Sequence, residues 1–451
     1  MTFLLLQQIA SMRKLFLMIL YFCFQHISYS QTNRNLSSLR EYLQLHSGYR
    51  YDSSLNHLNL TPRGSLNYLY PLYQLFGEEA KFRNLLSDNI YQDELSQVLS
   101  FLGDYESVLE YQPKPLDSIY DGTQRLITKT VAGLKNVKHA DAKKYISFIA
   151  RNFQVIMINE AHNKPLHRAF TLSLLQELYK KGFRYLAMEM LNNYSNHSLD
   201  KLTPATGYYS SEPVAGELIR TALDMGYKLV AYEDTLAMQG LHNANQRDSI
   251  QALNIYKILQ KDPEAKILVH AGYGHIAEKN LEEDYRPMGM VFKKLSGIDP
   301  LTIDQTEMTE GSDLAYGRLF YDIYLQKFPL SVPSIALIDD QPVNVTNNSL
   351  YDIVVIHPRT IYRDGRPIWL NLDGRRQALY VKPANKKTFL VQAYYQFESF
   401  GNKPGQVIPA DQTYIPTSKG NYLLYLRRGK YIIIFRDMEY RILNTQHIEV
   451  S

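Results

Sequence analysis

Residues 155–190 place the strongest constraint on the fold. In VIMINEAHNKPLHRAFTLSLLQELYKKGFRYLAMEM an apolar run ends on Glu160, Ala161 and His162, and the chain then turns through Pro165 into an amphipathic stretch closed by Gly182. A second apolar run ends on Glu189. Strands buried on both faces of a parallel sheet read as continuous apolar runs, with helices crossing over between them. YKLVAYED, ending on Glu233 and Asp234, and AKILVHAGYGH, carrying His270, Gly272, Gly274 and His275, repeat the pattern. The reading is an α/β fold, a mainly parallel sheet with flanking helices. Strands are predicted over 153–158, 185–189, 228–232, 266–270, 335–338 and 352–356. RAFTLSLLQELYKK, AGELIRTALDMG and DSIQALNIYKILQK supply crossover helices. Ligands of such sheets bind beyond the carboxyl ends of the strands, so four polar strand ends converge on one crevice.

Around this core the text changes character twice. Residues 31–115 are helical in period, broken by Pro62, Gly64 and Pro71 and closed by Pro113 and Pro115, which predicts a helical N-terminal lead-in. The α/β region is expected over 116–362. From 363 to 451 short runs such as QALYVKP, TFLVQAYYQFES and YLLYLRRGKYIIIF predict a separate C-terminal antiparallel β domain. Its Tyr and Phe residues read as cross-strand packing, with a surface-glycan face as the alternative.

Residues 1–30 carry Arg13 and Lys14 ahead of LFLMILYFCFQHISYS, the pattern of a signal peptide cut after Ser30. A periplasmic or secreted location follows, with no integral membrane span once the signal is removed. The remainder holds 47 basic against 45 acidic residues, a net charge of +2, which predicts no nucleic-acid partner. The one cysteine, Cys23, lies inside the signal, so the mature chain has neither disulfide nor thiol chemistry.

Asn159-Glu160-Ala161-His162-Asn163 followed by His167-Arg168, then Glu189 in LAMEM, then Arg247-Asp248, and finally Gly272-Tyr273-Gly274-His275 occur in that order. Over roughly residues 150–300 this series resembles the superfamily of erythromycin esterases and ChaN-like haem-uptake lipoproteins, and more remotely the TraB and TIKI group of metal-dependent hydrolases. The spacing of Glu160-x-His162 is nearest the ChaN-like pattern, and Asn159 stands where those relatives carry Gly. The resemblance implies either hydrolysis or the binding of haem or a metal.

The residues themselves fit acid–base chemistry. A neutral imidazole accepts a proton from water near neutral pH, and a carboxylate beside it stabilises the imidazolium. His162 is the candidate base, with Glu189 as its expected orienting partner; Glu160 belongs to the candidate catalytic set too, but two residues away it is open to facing the other side. Arg168 is expected to stabilise an anionic intermediate or bind a substrate carboxylate, and His275 completes the catalytic set. Arg247, Glu233 and Tyr273 are candidate substrate-binding residues, with Arg247 paired with Glu233 or Asp234. Asp248 reads equally as a helix N-cap, and His270 as a satisfied core histidine. There is no HExxH, nucleotide-binding glycine loop or GxSxG. The expected function is hydrolysis of an ester, amide or lactone in a small-molecule or peptide substrate, with no cofactor required. The alternative is a haem- or iron-binding uptake protein, for which haem or a divalent metal is the cofactor.

Overall fold

The computed structural model describes residues 36–43, 45, 60–61, 64–77, 79–86, 88–112, 120–194, 198–281, 284–312, 317–346, 349–399, 401 and 403–451. The expected signal peptide and the boundary expected at 115 lie outside them.

Among the described residues nine strands precede residue 360: β1 (Lys138–Asp141), β2 (Val155–Glu160), β3 (Phe183–Met188), β4 (Lys228–Ala231), β5 (Lys266–Gly272), β6 (Leu301–Asp304), β7 (Ser334–Ile338), β8 (Gln341–Pro342) and β9 (Ile353–Val354). Six form the central sheet in the order β4-β3-β5-β2-β6-β9, every pairing parallel. The chain leaves β2 toward β3 on one side and leaves β5 toward β6 on the other. A crevice therefore opens above the neighbouring carboxyl ends of β2 and β5. Register brings the ends level: Glu160 pairs with Gly272, and Met188 with His270.

Four helices matter for that crevice: α1 (Asp88–Phe101), α2 (Pro165–Lys180), α3 (Pro213–Met225) and α4 (Ala244–Lys261). The two-residue period of a strand sends alternate side chains to opposite faces. Ile156, Ile158, Leu186 and Met188 accordingly pack with Leu172, Leu174 and Leu218 of α2 and α3. Val155, Met157, Ala187 and Val269 pack with Ala252, Ile255 and Leu259 of α4 on the other face. Among the described residues no helix is long and apolar enough to cross a membrane.

Two strand expectations need correction. The segment expected at 335–338 belongs to a small antiparallel sheet, β1-β7-β8, and not to the central one. Beside β2 stands β6, a strand that was not expected, whose four residues LTID are too short and too polar to stand out as a run. Among the described residues the C-terminal strands form a four-stranded antiparallel sheet and two two-stranded ones. Leu370, Leu372, Leu423 and Tyr425 share a core with α2 and α3, while Phe389, Tyr414 and Ile415 share one with α1. Tyr394, Tyr395, Tyr414 and Tyr431 are buried, so these rings pack between layers and do not form an exposed sugar-binding face.

Candidate active site

β2 ends on Glu160, and the next few residues form a tight turn. The N–H of Ala161 donates to Nδ1 of the buried His167 (3.0 Å), the N–H of Lys164 to the Ala161 carbonyl (3.0 Å), and Pro165 then opens α2. The His162 carbonyl accepts from Arg168 Nη2 (2.9 Å) and Gln97 Nε2 (3.2 Å), and Asn163 Nδ2 donates to Ser96 Oγ (3.0 Å). The N-terminal lead-in thus clamps the turn that carries the candidate base. Asn159 is buried and cross-links β2 to the end of β6: its amide donates to Asp304 (2.7 Å) and accepts the Gln305 N–H (2.8 Å).

The partner of His162 is Glu160. Nδ1 lies 3.2 Å from Glu160 Oε1, and a carboxylate only accepts, so Nδ1 carries the proton and the Nε2 lone pair is left for the crevice. This corrects the assignment of Glu189 to that role, since residues two apart at a strand end share a side. The imidazole stacks on Tyr209 (4.4 Å, 19° between planes) and meets Tyr273 edge-on (5.2 Å). Glu160 itself accepts from Arg168 at 2.7 and 2.8 Å and bonds His270 Nε2 at 2.8 Å. Burial pushes its carboxyl up, but Arg168 and His270 outweigh this and hold it well below the usual range. His270 is buried as expected, yet it belongs to this network, with Thr171 at its other nitrogen (3.2 Å).

Arg168 does not reach the crevice. Its side chain is 0 % exposed, locked between Glu160 and Glu212. The guanidinium that faces the crevice is Arg247, 25 % exposed. It binds Glu233 through Nε (2.9 Å) and Nη2 (2.5 Å), Glu189 through Nη2 (2.5 Å), and Nε2 of His275 through Nη1 (3.0 Å). Asp234 pairs instead with His242 (2.6 Å).

Glu189 also accepts the Gly272 N–H, and its Oε1 lies 3.7 Å from His275 Nε2. Burial acts to raise the Glu189 carboxyl, but His275, Arg247 and His162 pull it down to about 2, so it is ionised at neutral pH. His275 is held by Asp248 through Nδ1 (2.9 Å). Burial lowers its pKa, Glu189 and Asp248 raise it, and the carboxylates win. Asp248 is no N-cap: Asn243 caps α4 in a capping box with Gln246, while Asp248 takes His275, the Tyr285 hydroxyl (2.9 Å) and the Met288 N–H (2.8 Å). A Cβ on Gly272 would lie 2.8 Å from His162 Nε2 and 3.0 Å from Glu189 Oε2, so only glycine fits there. The same geometry puts those two atoms within about 6 Å of each other.

His162, Glu189, His275, Arg247 and Glu233 therefore line one cavity of about 610 Å³. Tyr194, Tyr208, Tyr209, Met190 and Met238 form its apolar wall. Tyr273 touches His162 by its ring edge and gives its carbonyl to Asn159 (2.8 Å). Among the described residues no group of three or more His, Cys, Asp or Glu is arranged to hold a metal ion. A guanidinium occupies the space between Glu189, Glu233 and His275. Sequence reasoning missed Glu212 and the Asp248–His275 and Glu160–His270 pairs. The only signal for Glu212 was an acidic residue before Pro213, which marks a helix start and nothing more.

The sequence matches no protein-family model, and no curated protein matches it. Among solved structures it is similar to the type III effector HopBA1, with 14% identity over 49% of this chain and 97% of that one and a TM-score of 0.30. It is also similar to RRSP, a MARTX toxin effector domain from Vibrio vulnificus CMCP6, with 15% identity over 52% of this chain and 47% of that one and a TM-score of 0.28. The C-terminal region of Pasteurella multocida toxin, described as holding a thiol-protease-like catalytic triad, gives 15% identity over 52% and 34% and a TM-score of 0.27. The chain spans about half or less of the length of the last two, and all three likenesses are remote.

Proposed function

We propose that this chain is a hydrolase-like enzyme, secreted or periplasmic, that attacks an ester, amide or lactone with water activated by His162. The observation that carries the reading is the state of the His162 ring. Nδ1–H is committed to an ionised, buried Glu160, and the basic Nε2 faces the crevice beside Glu189. Nε2 takes a proton from water as the water oxygen attacks the carbonyl carbon. Glu160 and Glu189 stabilise the imidazolium, and the proton passes to the leaving group as the tetrahedral intermediate collapses. Arg247 is the cation at hand for the developing oxyanion.

The order of Glu160-x-His162, Glu189 and Gly274-His275, and their meeting in one crevice, support placing the chain with the erythromycin-esterase and ChaN-like proteins. The exposed Leu236, Met238, Leu241 and Tyr194 near the mouth suit a substrate with an apolar portion. A panel of activated esters, amides and lactones tests the reading: the wild type turns over at least one, and His162→Ala does not. A Soret band on adding haemin, with no turnover of any panel member, would instead establish the uptake alternative.

A further inference from the structure

Glu212 lies outside every motif that marks the crevice, and it is fully buried. It precedes Pro213 and caps α3, accepting the N–H of Val214 through Oε1 and of Ala215 through Oε2, each at 2.8 Å. A serine or aspartate makes such a cap, and burying a glutamate charge for that purpose alone is costly. The same Oε2 also accepts from Arg168 Nη1 at 3.2 Å, while Nε and Nη2 of that guanidinium grip Glu160. Arg168 therefore stands between two buried carboxylates, and one of them holds His162.

α3 is itself pinned to the C-terminal strands. Arg220 binds Glu398 at 2.6 and 2.7 Å and the Ile408 carbonyl at 2.6 Å, and Glu217 meets Arg376 (3.1 Å) and Arg427 (3.3 Å). This fixes where Glu212 sits relative to β2. Burial pushes the Glu212 carboxyl up, against the pull of Arg168 and the Val214 and Ala215 N–H groups, and in its ionised form it competes with Glu160 for one guanidinium, which cannot neutralise two carboxylates. With Glu212 sharing Arg168, Glu160 retains negative charge toward the imidazole; without that sharing, the full cation bears on Glu160.

We propose that Glu212 is a positioning residue for the reaction assigned above: acting through Arg168, it leaves Glu160 with the charge that stabilises the His162 imidazolium as water gives up its proton. The proposal rests on His162 being the base. The groups facing His162 are Glu160 from its own turn, Glu189 from the end of β3, Tyr209 stacked on the ring, Tyr273 edge-on and the backbone of Gly272 on β5. Glu212 touches the ring through none of them, so its effect passes by Arg168.

The test uses the full chain and p-nitrophenyl acetate as the probe, with pH–rate profiles for wild type, Glu212→Gln and Glu212→Asp. Glutamine keeps the cap acceptor and the shape but removes the charge. Glu212→Gln is expected to lower kcat about three- to tenfold with KM within about twofold, and to move the acid limb of the profile to lower pH. Glu212→Asp is expected to recover about half of the loss or more. An unchanged profile, or a loss that only follows the folded fraction, makes Glu212 a cap and overturns the proposal. NMR of protein labelled at histidine Cε1 reads the same coupling without turnover: the His162 ring signal titrates at lower pH in Glu212→Gln. An unmoved signal overturns the proposal even if no ester is hydrolysed, whereas a moved signal with no hydrolysis overturns only the hydrolase reading.

Discussion

The two histidines of the crevice are held by similar means in different surroundings. His162 hangs on a closed network of Glu160, Arg168, Glu212 and His270, in which every partner is buried. His275 hangs on Asp248 beside Arg247, and that guanidinium is open to solvent on one side. Charges that cannot be rehydrated give a fixed geometry and a large penalty when one is removed. Charges at a wall exchange partners at lower cost. In the proposed reaction the first half holds the base in one tautomer and the second meets substrate.

The largest expected effect is on folding. Arg168→Ala leaves Glu160 and Glu212 buried without their cation and should cost about 3–5 kcal/mol, whereas Arg247→Ala, with solvent at hand, should cost well under half of that. Chemical denaturation of the two variants side by side checks the contrast, and equal losses would break it.

Opposite pH signatures sharpen the comparison. Behind the first half, His167 and His357 are buried neutral; burial pushes His357 down to about 3 and His167 well below the ordinary value. The unfolded chain takes up protons on these groups from about pH 6.5 downward while the folded one does not, so stability falls as pH drops between about 6.5 and 3. Glu189, at about 2, adds a loss in the same direction below about pH 4.3. His275, with its pKa raised, does the reverse: its contribution is complete below about pH 6.5 and disappears as pH rises through the folded value. Urea melts across pH 5–8 should show a shallower acid slope in His357→Gln and a shallower alkaline slope in His275→Gln.

The smallest effect concerns α4. Asn243→Ala removes its cap and should cost about 1 kcal/mol, with a modest fall in turnover because Arg247 and Asp248 sit in the first turns.

Much of the site was legible because apolar runs of strand length each stop on an ionisable residue. The sheet was less so: β6 is a run of four residues, Leu301–Asp304, and β7 reads like a core strand although it pairs antiparallel outside the main sheet. Which carboxylate holds His162 was misread: Glu189 was expected, and strand period applied past the strand end puts Glu160 on the same side as His162. That Arg168 points inward and Arg247 outward was not legible, because both follow a strand end and only packing separates them. Asp248 and Glu212 carried helix-start signals, and a cap signal is silent about a second partner across the fold.

The central claim is that His162 and Glu189 act on one reacting centre above Gly272. A double-mutant cycle on turnover, run with thermal melts, tests it most directly using His162→Ala, Glu189→Gln and the pair together. His162→Ala should keep a near wild-type melting temperature, while Glu189→Gln should melt lower, because the charge that Arg247 and His275 hold is gone, but stay folded at the assay temperature. Each should lose about a hundredfold or more in kcat, and the double should lose little more than the worse single. Losses that multiply, or full activity in either single variant, would contradict the account.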